Sequence, residues 1–319
     1  MRFSRLEALF SVTTLAALVG GSALVLGACG ESSTGGGFAA DAGAEGGDPS
    51  VSEAGTTSGE AGTPDPTPGC GATGVKTGAS KQTLMADGSK RTYELFVPDT
   101  YDNKKSFPLV FVFHGDGGNG ANIRSSFKLE AEAAGGAIFV YPDGEGQTWQ
   151  IDDAAGLGHD VGFIDAIATS LAGTHCVDKK RIVPVGFSKG AYFANMLACL
   201  AKTPLAGVVA HGGGGPFGVD GSGTDFDGKG NLICPRPPVA AMQVIGTSDG
   251  LYDDAKKARD YWVGVNTCKA TTKPFAPSPC VAYDGCNAAR PEIYCEIPGM
   301  GHSLWTNAAK VTWTFIKSR

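Results

Sequence analysis

Ser188 stands in Gly186-Phe-Ser-Lys-Gly190, between the apolar run Arg181–Gly186 and a stretch, Lys189–Ala201, whose apolar residues Phe193, Met196, Leu197 and Leu200 recur at helical spacing. A serine flanked in this way at a strand-to-helix turn has the pattern of a nucleophile elbow, where the hydroxyl is raised above a sheet and two glycines leave room for the tight turn. The plainer reading is a serine that caps a helix. Chemistry requires company: the hydroxyl needs a base, and the base needs an orienting acid. Two histidines follow Ser188, His211 and His302. His302 lies in the glycine loop Pro298-Gly-Met-Gly-His-Ser303, where a flexible turn can bring the imidazole over the serine, and it is the expected base. His211 ends an apolar run and is expected to be a wall or structural histidine. For the acid, Asp249 closes Val244-Ile-Gly-Thr-Ser-Asp249 at a strand end, in the chain order serine, acid, histidine. Asp253 and Asp254 compete, and Asp254 suits a helix N-cap.

An acyl-transfer site also needs two backbone N–H donors for the oxyanion. One is expected at Lys189, the residue after the serine. The other is expected in the loop His114-Gly-Asp-Gly-Gly118, at Asp116, with Gly117 as the competitor.

Elements must hold these residues. Short apolar runs bounded by Pro, Gly or Asp read as strands: Thr92–Val97, Leu109–Phe113, Ala137–Tyr141, Arg181–Gly186, Leu205–Ala210, Val239–Ile245 and Glu292–Ile297. Several lack polar alternation, as expected where both faces are covered. Helical patterns lie between them at Val161–Ala172, with Asp160 as its expected N-cap, and at Lys189–Ala201, Asp254–Val263 and Asn307–Lys317. Alternation of this kind predicts an α/β fold, a mostly parallel sheet with helices on both faces. Ligands then bind at the carboxyl ends of the strands, where the residues above are expected.

The start of the chain reads as an address. Residues 1–28 carry Arg2 and Arg5, an apolar run from Ala8 to Leu26, and Gly27-Ala28 before Cys29. A basic start, an apolar stretch and small residues describe a secretory signal. The cysteine after the small pair resembles a bacterial lipoprotein signal, which implies lipidation at Cys29. Residues 29–69 are rich in glycine and alanine, carry seven acids and no lysine or arginine, and read as a disordered tether. Residues 70–319 read as one catalytic domain. The formal charge of -6 belongs to the tether, since the residues from 70 onward are formally neutral. The negative net charge argues against a binder of a nucleic-acid backbone, which would need a basic face.

Across 70–319 the motifs resemble the carbohydrate-esterase group of α/β-hydrolases, which includes feruloyl esterases, acetylxylan esterases and related poly(hydroxyalkanoate) depolymerase-like esterases. The resemblance is carried by Gly69-Cys70-Gly71, Tyr93-Glu-Leu-Phe-Val-Pro98, His114-Gly115, Tyr141-Pro-Asp-Gly with Trp149, Asp160-Val-Gly-Phe-Ile-Asp-Ala-Ile, Cys176-Val-Asp, the Gly186–Cys199 run, Gly246-Thr-Ser-Asp249 and Gly301-His302. It implies an exported serine carboxylesterase of the α/β-hydrolase fold that acts on feruloyl esters of xylan-type polysaccharide, with no metal or organic cofactor. Acetylxylan or polyester hydrolysis, acyl transfer on the same fold, and a non-catalytic glycan-binding lipoprotein are the alternatives. Lys189 and Asp116 depart from the usual family pattern and are expected to pair at the rim or to shape the acyl pocket.

Setting Cys29 aside leaves cysteines 70, 176, 199, 234, 268, 280, 286 and 295. Export permits disulfides. The expected pairs are Cys199–Cys234 and one or two bridges within 268–295, stapling the segment before His302; no CxxC pair supports a metal site. Trp149, Tyr192, Tyr252 and Trp305 fall near strand ends, and Trp149, Tyr192 and Trp305 are the candidate substrate-binding aromatics. The Gly/Asp-rich segment 212–234 is expected to flank the entrance.

Overall fold

The computed structural model describes residues 64–319 except 153, 218–226, 228–229 and 288. The signal segment, Cys29 and the tether up to residue 63 lie outside the described residues.

A ten-stranded sheet runs in the order β1-β2-β4-β3-β5-β6-β7-β10-β9-β8. Its centre is parallel: β4 (Ile138–Pro142), β3 (Phe107–Phe113), β5 (Val177–Phe187), β6 (Gly207–His211), β7 (Ala240–Gly246) and β10 (Glu292–Ile297). The flanks are antiparallel, with β1 (Gly78–Ala86) and β2 (Ser89–Val97) on one side and β9 (Val281–Tyr283) and β8 (Thr272–Pro274) on the other.

Both faces of the sheet are covered, and β3 shows why its sequence lacks polar alternation. Leu109, Phe111 and Phe113 pack into a core with α3 (Ala154–Thr174), α4 (Lys189–Leu200) and Trp262 of α5 (Tyr252–Val265). Val110 and Val112 pack oppositely, with α1 (Gly120–Phe127), α2 (Leu129–Ala133) and α6 (Ala308–Lys317). Every side chain of β3 is buried, so burial on two sides replaces alternation.

Three features depart from the sequence reading. β1, outside the strands expected from sequence, is a mostly exposed flanking strand whose polar Ser80–Thr83 stretch interrupts any apolar run, joined to β2 by Asp87-Gly88. Both turn residues have positive φ (47° and 78°), the geometry of a two-residue hairpin. Asp160 does not cap α3. The helix begins upstream, and Asp160 is buried within it, paired at 2.8 Å with Arg91 and accepting the Gln150 N–H at 2.8 Å. Nor does Asp254 cap α5: it lies in the first turn of that helix, whose cap position is Leu251.

Residues before Cys70 already belong to the fold. The N–H of Thr67 donates to Val177 and that of Gly69 to Ala172. Among the described residues four disulfides are present: Cys70–Cys176, Cys199–Cys234, Cys268–Cys286 and Cys280–Cys295. The first ties this N-terminal arm to the start of β5; the last two staple the β8–β9 segment ahead of β10. Such bridges form and persist in an oxidising compartment, which fits the expectation of an exported domain.

Candidate active site

β5 ends at Phe187 and α4 begins at Lys189, leaving Ser188 alone at the turn, with φ 56° and ψ -125°. A non-glycine residue there is strained and is held by its surroundings. A side chain on Gly186 would overlap the backbone of Gly190, and one on Gly190 would overlap the carbonyls of Phe113 and His114. Both glycines are therefore demanded by close backbone approach.

Three strand ends converge on this turn. β7 leads into Asp249, β10 into His302, and β5 into Ser188. Ser188 Oγ lies 2.9 Å from His302 Nε2. His302 Nδ1 lies 2.9 Å from Asp249 Oδ2 and 3.1 Å from Oδ1. Asp249 is buried and also accepts the Leu251 N–H at 2.9 Å, whereas the imidazole is 40% exposed. A carboxylate facing Nδ1 favours the tautomer with its proton there, which frees Nε2 to accept from the serine. The Phe187 ring stacks on the imidazole at 5.1 Å.

The two loops that carry the acid and the histidine are bonded to each other. Ser248 N–H donates to the Met300 carbonyl (3.0 Å), Thr247 N–H to that of Ile297 (3.0 Å), and Gly299 N–H to Thr247 Oγ1 (2.8 Å). The competitor His211 faces elsewhere. Its ring is in the core, 2.9 Å from Thr312 Oγ1, and burial pushes its pKa down to about 3.

The donor loop follows β3. Gly117 N–H is engaged by the Gln147 carbonyl and Gly118 N–H by that of Gly115. Asp116 N–H has no backbone partner among the described residues, and Lys189 N–H, at the first position of α4, has none within its helix. The positive end of the α4 dipole adds to the potential at the turn. At the rim, Lys189 Nζ lies 3.9 Å from Asp116 Oδ1 and 3.7 Å from Asp152 Oδ2, and Thr148 Oγ1 donates to the Asp116 carboxylate. The arrangement can activate a hydroxyl, receive its proton and hold a developing oxyanion.

No protein-family model matches the chain. Among curated proteins, the probable feruloyl esterase C of Aspergillus clavatus is 30% identical over 267 residues, covering 75% of this chain and 89% of that one. Feruloyl esterase C of Emericella nidulans is 31% identical over 277 residues, covering 78% and 90%. The chain belongs to the feruloyl esterase family. It is a carboxylic ester hydrolase. Among solved structures, an acetyl xylan esterase from Aspergillus awamori matches with a TM-score of 0.56 at 15% identity, over 74% of this chain and 99% of that one. A ferulic acid esterase from Anaeromyces mucronatus matches with 0.53 at 18% identity, over 77% and 91%. At such identities these likenesses show the α/β-hydrolase fold.

The candidate aromatics of this feruloyl esterase family member divide. Trp149 is no substrate wall: it is fully buried, with its face stacked on Phe193 at 4.6 Å and its indole N–H donated to the His114 carbonyl at 2.9 Å. The Tyr192 ring meets Phe217 edge-on, and its hydroxyl donates to Asp254 Oδ2 at 2.6 Å; burial and this carboxylate both raise its pKa. Trp305 is half-buried beside the α1/α6 core. Two polar side chains to which the sequence assigns no role of their own support the site. Buried His114 accepts the Gly144 N–H at Nε2 (2.9 Å), with Nδ1 2.7 Å from the Gly115 carbonyl, and burial lowers its pKa. Asn195, on the buried face of α4, donates to the Gly214 carbonyl and accepts from Trp262. A polar residue inside an apolar helical stripe was the available signal for Asn195.

Proposed function

We propose that Ser188 attacks the carbonyl carbon of a feruloyl or related hydroxycinnamoyl ester on a xylan-type polysaccharide. His302 takes the hydroxyl proton and returns it to the leaving sugar alcohol. Asp249 holds the imidazole tautomer and stabilises the imidazolium. The N–H groups of Lys189 and Asp116 receive the oxyanion, and water activated by His302 then hydrolyses the feruloyl-enzyme. The observation that carries this reading is the unbroken line Asp249–His302–Ser188 at a strained elbow, with 2.9 Å steps. The names of the curated relatives support the acyl group. Tyr192 and Trp305 remain the candidate contacts for the ring and sugar.

The test compares methyl ferulate, acetylated xylan and hydroxybutyrate oligomers with wild type and Ser188→Ala. Ferulate release by wild type alone is expected. Equal rates for the two proteins would end the claim for Ser188, and a strong preference for the oligomers would overturn the substrate.

The same reading extends to Cys29 as a lipidated residue that tethers the exported domain to the cell envelope. Detergent-phase partitioning of the full chain should be lost in Cys29→Ala; an unchanged partition would remove the anchor from the proposal.

A further inference from the structure

We propose that Trp149 is a positioning residue for oxyanion binding, setting the geometry of both donor-bearing elements through one buried indole. This rests on the reading of Asp116 and Lys189 as the donors.

The segment Asp143–Gln150, beyond β4, lies along the donor loop and holds it at four points. Trp149 Nε1–H donates to the His114 carbonyl at 2.9 Å. Gly144 N–H donates to His114 Nε2 at 2.9 Å. The Gln147 carbonyl accepts the Gly117 N–H at 2.9 Å, and Thr148 Oγ1 donates to the Asp116 carboxylate. Among the loop amides the segment engages that of Gly117, while that of Asp116 has no backbone partner among the described residues.

The clasping segment is itself fixed from beneath. Gln150 N–H donates to Asp160 Oδ2 at 2.8 Å, Asp160 pairs with Arg91 at 2.8 Å, and the guanidinium lies 4.4 Å over the Phe163 ring. Asp143 accepts from Thr92 Oγ1 (2.6 Å) and from Gly120 N–H (2.9 Å).

Trp149 also reaches the other donor element. Its ring is parallel to Phe193 of α4, 4° off plane at 4.6 Å, and edge-on to Phe113 at the end of β3, 5.1 Å away. One side chain thus packs against both the strand that delivers Asp116 and the helix that begins at Lys189, whose Phe113 and Phe193 rings also meet each other at 4.9 Å. Tryptophan has a single hydrogen-bonding group, a donor. Its removal orphans a buried carbonyl at the base of the donor loop while the ring contacts persist, and an unmet buried group of this kind corresponds to roughly five- to 150-fold in an equilibrium.

The experiment uses Trp149→Phe and, to keep the ring shape, the full chain with benzothienylalanine at position 149, in which sulfur replaces the N–H. Both are measured for kcat and KM on methyl ferulate, for inhibition by a trifluoromethyl ketone that forms a serine hemiketal oxyanion, and for inhibition by ferulate, which forms none. The expected result is a fall in kcat of about tenfold, a similar weakening of the ketone, and KM and ferulate inhibition within about twofold. Unchanged ketone inhibition, whether or not the melting temperature falls, would overturn the proposal and leave Trp149 a packing residue. Labelling of wild type by a nitrophenyl phosphonate separates the two readings: a phosphonate on Ser188 upholds the site even if the Trp149 claim fails, whereas no label on Ser188 removes the site reading itself.

Discussion

The amide N–H of Ser188 donates to the carbonyl of His211 at 2.9 Å, while the His211 ring points away into the core against Phe127 and Thr312. The end of β6 thereby pins the elbow from the side, by backbone, and its imidazole is kept from water and from any charge. Burial lowers the His211 pKa to about 3, against about 6.5 for an unfolded histidine. The unfolded chain therefore binds the extra proton first. This contribution to stability is whole above about pH 6.5 and is lost as pH falls towards 3. Buried His114 and His175 are shifted in the same direction. The melting temperature should decline steeply in wild type as pH falls from 7 to 4 and less steeply in His211→Gln; parallel curves would contradict this account.

Glu292 works in the opposite direction. It is fully buried at the start of β10, neither carboxyl oxygen has a hydrogen-bond partner among the described residues, and burial holds its pKa well above the usual carboxylate range, with Arg259 opposing only in part. The folded form keeps a proton that the unfolded form releases. Stability from this group is whole below about pH 4.3 and is lost as pH rises towards the folded value. Glu292→Gln should raise the melting temperature at pH 8 and have its smallest effect near pH 4. A uniform destabilisation at both would show that the protonated carboxyl makes a bond the amide cannot.

On the proposed mechanism, Asp249→Asn keeps the shape of the side chain and removes its charge. The amide can present its N–H to His302 Nδ1 and reverse the tautomer, so kcat should fall by about 10⁴-fold with little change in KM. Asp253→Asn, on the exposed start of α5, should keep kcat within about twofold. Steady-state kinetics on a nitrophenyl ester check both; a comparable loss in Asp253→Asn would move the acid.

A side chain on Gly246 would collide with the Met300 carbonyl, the group that accepts the Ser248 N–H and fixes the histidine loop to the acid loop. Gly246→Ala should displace His302 and lower kcat/KM by about 10²-fold, the size of effect that ~1 Å of misplacement produces. Near-normal activity would mean that the loop reaches its position by other contacts.

The Cys280–Cys295 bridge closes a short loop across β9 and β10. Replacing both by serine should cost about 3 kcal/mol by the loop-entropy argument, read from urea unfolding. Mass mapping of an unreduced digest checks all four pairs; eight free thiols would remove the disulfide framework altogether.

Much of this was legible in the chain. Gly186-Phe-Ser-Lys-Gly190 announces a tight turn because glycine spacing encodes how closely backbone can approach backbone, and the runs at Leu109–Phe113 and Val239–Ile245 announce strands covered on both sides. The order Ser188, Asp249, His302 follows from connectivity, which sequence records directly. The tertiary structure decided what depends on direction. It turned His211 inward and His302 towards the serine. It buried Trp149, expected at the substrate, beneath the donor loop, and drew Asp160 from a supposed cap into a pair with Arg91. A residue type states what a side chain can donate, accept or bury. Which partner it meets depends on packing among segments far apart in the chain, and local sequence does not record that.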